Sequence, residues 1–135
     1  MGIKTLGRFT YDSSTAATVA AGEAVPIPTS TTSNRCASCD GYNITINRSG
    51  VYQILINLTF AATGVGPIET TLYRNGNAIA GAHALSTAAA AGDFAAQAIS
   101  TIITVPANSP TATFNLRETY ATTLRVANVI VIKVA

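Results

Sequence analysis

Residues 125–135 read RVANVIVIKVA, and laid out as a strand they are apolar on both faces. Alternation puts Ala127, Val129, Val131 and Lys133 on one side and Val126, Ile130, Ile132 and Val134 on the other. An antiparallel strand with one face on a core and one in water alternates apolar with polar residues, so this one must be covered twice. One cover is the domain's own core. In a chain of 135 residues the other is expected to be a neighbouring copy, which points to assembly before it points to a catalytic pocket. Parity leaves open whether Val129 and Val131 or Ile130 and Ile132 meet the core.

Upstream, strand signals recur and sustained helical periods are nearly absent. Val51 to Phe60 is the clearest strand: Tyr52, Ile54, Ile56, Leu58 and Phe60 share one face, and Gln53, Leu55, Asn57 and Thr59 the other. Ile68 to Arg74 and Asn77 to Ala82 form a hairpin about Asn75-Gly76, which supplies the positive φ angles of a tight turn. Further strands are expected over Ile3 to Tyr11, Tyr42 to Asn47, Phe94 to Val105, Ala112 to Thr119 and Leu124 to Val134. Ala24 to Pro28 is confined to a sheet edge by its prolines, and Thr29 to Gly41 and Ala84 to Ala91 read as loops. Roughly eight or nine short strands without helices indicate an all-β, antiparallel two-sheet sandwich, most simply a jelly roll, filling residues 1–135 as a single domain.

Composition narrows the function. Hydrophobic residues make up 48% of the chain but charged residues only 10%, so the surface is built from Thr, Ser, Asn, Gly and Ala. Such surfaces suit extracellular, virion or spore-coat proteins. A net charge of +2 carried by scattered Lys and Arg gives no stripe for a phosphate backbone, so nucleic acid is not an expected partner. No stretch has the apolar length of a membrane span, and MGIKTLGRFTYDSS lacks a signal-peptide core. The expected location is a virion or particle surface, reached by assembly from the cytoplasm.

Little in the chain resembles a reaction centre, and no enzyme activity, metal or cofactor is expected. Cys36-Ala37-Ser38-Cys39 has redox or metal spacing, but no strand–helix setting surrounds it and a zinc site would lack half its ligands. The pair is expected to be either reduced or joined in a local disulfide. His83 sits among small residues with no nucleophile motif, and Asp12, Glu23, Asp40, Glu69, Asp93 and Glu118 are isolated in sequence. Three Asn-x-Ser/Thr triplets, at Asn43, Asn47 and Asn57, are what an Asn/Thr-rich chain contains by chance. Tyr42 and Tyr52 fall on apolar parities and read as core residues.

Taken together, SGVYQILINLTF, TLYRNGNAIAGA, AAQAISTIITVPANSP and ANVIVIKVA resemble the tumour-necrosis-factor and complement globular-head superfamily. Gly50-x-Tyr52, the Asn75-Gly76 hairpin and the terminal IKVA carry the likeness. It is strongest to the bacterial and phage branch, which includes the C-terminal domain of the collagen-like exosporium glycoprotein of Bacillus. The resemblance implies a ten-stranded jelly roll that forms a homotrimer through the sheet holding the first and last strands. Val129, Ile130, Val131, Ile132, Gln53, Leu55 and Asn57 would then divide between trimer interface and inner-sheet core. No Gly-X-Y stalk or exosporium leader is seen, so the expected role is a decoration or fibre-head protein bound to a phage capsid, tail or other particle-surface protein. The rival expectations are a host-attachment tip that binds a receptor or a host-surface glycan, and a spore-surface protein. Calcium, bound by some superfamily heads, has no matching acidic motif here.

Overall fold

The computed structural model describes residues 4–33 and 37–135, and among these every regular element is a strand. They are β1 (Lys4–Val19), β2 (Thr29–Ser33), β3 (Ala37–Cys39), β4 (Ile44–Ile46), β5 (Gly50–Ala61), β6 (Gly66–Arg74), β7 (Asn77–Ala88), β8 (Phe94–Val105), β9 (Ala112–Glu118) and β10 (Thr122–Lys133). Two five-stranded sheets result, the first ordered β2-β1-β10-β5-β8 and the second β3-β4-β9-β6-β7. All pairings are antiparallel, and the two sheets face each other across one core as a jelly-roll sandwich.

The alternation in β5 does what its pattern requires: Tyr52, Ile54, Ile56, Leu58 and Phe60 are all buried. From the second sheet Ile68, Leu72, Phe114 and Leu116 close over them. Burying each side chain of this size contributes about 1.5–3 kcal/mol, which is the main force holding the sheets together. β10 runs between β1 and β5, with Val129 opposite Ile56 and Val131 opposite Ile54. Directly paired residues share a face, so Val129 and Val131 join the core, while Ile130 and Ile132 point away from it. At Arg125 both ladders of β10 are interrupted, with a one-residue slip against β5 and a larger one against β1, a bulge that lets Leu124 and Ala127 both face inward.

Gly50 explains why Gly-x-Tyr opens β5. Its φ is 151°, and a Cβ there would lie 2.8 Å from Lys133 Cε and 2.9 Å from the Ala135 carbonyl oxygen. The Val51 N–H donates to that same oxygen at 3.0 Å, so Gly50 lets the C-terminal strand pass close by. Two residues on, the buried Tyr52 donates its phenol O–H to the Arg48 carbonyl and ties down the preceding turn. Lys133, on the core parity, ends half-buried at the rim with its stem against Gly50.

Four segments differ from the sequence reading. Within 29–41, expected as a loop, lie β2, which pairs with β1, and β3, which pairs with β4. β2 is all Ser and Thr and β3 is only three residues long, so neither is long and apolar enough for periodicity to find it. Residues 84–88 continue β7 because β6 supplies a ladder as far as Gly66↔Ala88. Ala24 makes only an isolated bridge, to Arg117. Tyr42 is 50% exposed, because Asp40 accepts the backbone N–H groups of Tyr42 and Asn43 and turns the chain before β4 begins.

Candidate interaction surface

The registers lay out the outward side of the first sheet row by row. One row holds Ile132, Gln53 and Ile102, and the next Arg8, Ile130, Leu55 and Ser100. Then come Thr10, Asn128, Asn57 and Ala98, followed by Asp12, Val126, Thr59 and Ala96. Ile130, Ile132 and Leu55 are half-buried among their neighbours, while Val126 is 38% exposed and Ile102 is 65% exposed. The middle of this face is therefore apolar, and its described charges sit at its margins, on Arg8 and Asp12 of β1 and on Arg125 at the β10 bulge.

Two contacts organise the polar part. Arg8 donates from Nε to Asn128 Oδ1 at 2.8 Å, which fixes the guanidinium beside Ile130. Arg125, on the bulge, reaches over β5 so that its guanidinium carbon lies 5.9 Å from the ring centre of Phe94 on β8. Phe94 is nonetheless 69% exposed. β8 is the edge of its sheet, and it holds no charged residue in its length. Natural edge strands are usually protected by charge, proline or a cover, and β8 has neither charge nor proline.

The residues singled out from sequence thus separate cleanly. Gln53, Leu55, Asn57, Ile130 and Ile132 come together on the outward face, and Val129 and Val131 do not. Alternation already places Val126 with Ile130 and Ile132, but Ile102 and, toward the far end of β8, Phe94 were missed as members, since only strand register brings them onto this face. Cys36 lies outside the described residues. Its sequence neighbour Cys39 is half-buried, with Sγ 3.4 Å from the Ile27 carbonyl and 3.4 Å from the Gly41 N–H, and burial pushes the thiol up from its ordinary value. His83 is exposed on β7, opposite Thr71.

A second polar constellation lies between the sheets. Glu118, Thr70 and Gln97 are all buried and linked by hydrogen bonds. In β9 the inward parity runs Ala112, Phe114, Leu116 and then Glu118, so a carboxyl occupies a position that the alternation reserves for an apolar side chain. That mismatch is visible in the sequence once the strand is accepted.

No protein-family model matches the chain, and no curated protein sequence does. Solved structures match over nearly its whole length. The Eiger tumour necrosis factor of S. frugiperda aligns with a TM-score of 0.75 at 8% identity, covering 97% of this chain and 93% of that one. The globular domain of the zebrafish complement 1qA protein aligns at 0.68 and 9% identity, covering 96% and 95%. Vertex protein P5 of phage PRD1 aligns at 0.62 and 16% identity, covering 100% of both. The fold is therefore the tumour-necrosis-factor and complement-head jelly roll, in a form that a phage protein also adopts.

Proposed function

We propose that this jelly roll is a non-enzymatic homotrimer that builds or decorates a particle surface, with a phage or prophage virion as its setting. One observation carries the reading: the outward face of the sheet containing β1 and β10 is apolar where solvent would otherwise meet Ile130, Ile132, Leu55 and Ile102. A contiguous apolar face beside a twelve-residue edge strand without charge or proline calls for a cover. Copies of the same chain supply one without any additional partner. The fold's presence in a virion vertex protein supports the particle setting.

Size-exclusion chromatography with light scattering tests the assembly. At micromolar concentration the expected mass is three chains, and a monodisperse monomer overturns the reading. Ile130→Asp is expected to leave a folded monomer, because it places a charge on the covered face and leaves the core intact.

A second reading, a tip that binds a host glycan or receptor, draws on a half-open cleft of about 250 Å³ at one end of the sandwich. Thr63, Val65 and Tyr120 line it, a mix of hydroxyls and apolar surface that suits a neutral sugar. Binding of the intact trimer on a glycan array would favour this reading, and an array without signal would favour pure decoration.

A further inference from the structure

The buried cluster around Glu118 has too few hydrogens for its oxygens. Gln97 is oriented without ambiguity, since its Nε2 donates to the Ile68 carbonyl at 2.9 Å and to Ser86 Oγ at 3.2 Å. Its Oε1 must then accept, and it lies 2.8 Å from Thr70 Oγ1. The same Thr70 oxygen makes a short contact with Glu118 Oε2. A hydroxyl has one proton, and here it stands between two oxygens that both need one. The shortage disappears if Glu118 is a carboxylic acid: its O–H donates to Thr70, Thr70 donates to Gln97, and Gln97 donates to the β6 backbone.

Electrostatics of the surroundings agree. Glu118 is fully buried, and its other oxygen, Oε1, has no hydrogen-bond partner among the described residues. Thr122 Oγ1, on the adjoining end of β10, is likewise buried without one. β8 holds no ionisable group, and the one on β5, Tyr52, gives its phenol proton to the Arg48 carbonyl. On β6 the neighbouring carboxylate is Glu69, which accepts from Thr119 Oγ1 at 2.7 Å and repels a second negative charge. Arg117 on β9 is exposed over the Tyr73 ring, Arg125 on β10 turns to Phe94, His83 on β7 is exposed, and Glu23, beyond β1, meets Glu118 only through backbone. No cation pairs with the Glu118 carboxyl among the described residues. Burial pushes that carboxyl up to about 7, with the Thr70 contact opposing and Glu69 reinforcing the rise.

The linkage runs between sheets. Glu118 and Thr70 stand opposite each other on β9 and β6 of the second sheet, whereas Gln97 belongs to β8 of the first. We propose that Glu118 is held protonated in the folded chain and latches the two sheets at the end of the sandwich carrying the Thr119–Ala121 turn, so that this end loosens when the proton leaves. Ionisation would leave a buried charge without a counter-ion and the one Thr70 proton shared between two acceptor oxygens. The latch does not depend on the trimer.

The sign of the effect follows from proton binding. An unfolded chain releases this proton near the ordinary value of 4.5 and the folded chain near 7. Between those values the folded state holds more protons, so stability is full below the lower one and is lost as pH rises through the upper one. The test compares wild type with Glu118→Gln, whose amide can still donate to Thr70 and never ionises. Across pH 4.5 to 8 the wild-type melting temperature is expected to fall relative to the variant, whose own profile reports every other group. Parallel profiles overturn the latch. A carboxyl carbon-13 titration of the wild-type protein reads the same group without a variant, with a midpoint near neutrality expected and one near 4.5 overturning the proposal. Stabilisation of wild type by calcium at pH 8 also overturns it, because a metal ion rather than a proton would then supply the missing positive charge.

Discussion

Val129 and Ile130 are neighbours in sequence with opposite fates, and substitution separates them. Val129 is 1% exposed in the core, so Val129→Asp buries a carboxylate among Ile56, Leu72 and Phe114. The expected cost exceeds about 4 kcal/mol, enough to remove most of the stability of a domain this size. Circular dichroism should show loss of the cooperative melt, where Ile130→Asp keeps it and loses only assembly. The sequence reading expected this strand to be covered on both sides and stopped at the choice of which face meets the core. Alternation has two equivalent phases, and the tie is broken by a distant residue: Ile56, whose own face is unambiguous because Gln53 and Asn57 occupy the other. Glu118 shows the converse. Its place on an inward parity was legible, but its partners Thr70 and Gln97 come from strands far away in sequence, and no local pattern joins them.

At the scale of the element, the β6–β7 hairpin is where sequence and structure agree most directly. Asn75 has a φ of 49° and Gly76 of 84°, the paired left-handed conformations of the turn that Asn-Gly favours. The tip is also docked, since the Asn75 N–H donates to the Thr113 carbonyl at 2.8 Å and its Oδ1 accepts the Thr113 N–H at 2.9 Å. Gly76→Ala is therefore expected to cost about 1 kcal/mol through backbone strain alone, since a Cβ there meets no atom within 4 Å. Urea denaturation should show a lower midpoint with an unchanged slope. Turn chemistry is local, so a dipeptide announces it. β2 and β3 lack such a signal: they are strands because β1 and β4 offer them hydrogen bonds, a cause that lies outside their own residues.

Across the whole molecule, the first strand finds its main partner in the last, with Lys4 opposite Lys133 and Phe9 opposite Val129. The likeness of the four quoted segments to one superfamily anticipated that arrangement, and composition alone did not, because hydrophobic content says nothing of which strands meet. A practical result is that a circular permutant joined across the two ends and opened in the exposed stretch at residues 89–92 should keep the fold and the assembly, checked by melting and by mass in solution. A deeper result concerns time. On a ribosome adding about 5–20 residues per second, β1 emerges early and then waits on the order of ten seconds for β10. Throughout that interval the edge of β1 that β10 will pair is open, and the core lacks Leu124, Ala127, Val129 and Val131. Nascent chains arrested before Thr122 should accordingly be digested by protease that spares the released protein. Synthesis up to β10, on this view, is the period in which this domain most depends on protection, and the emergence of β10 acts as the trigger for folding.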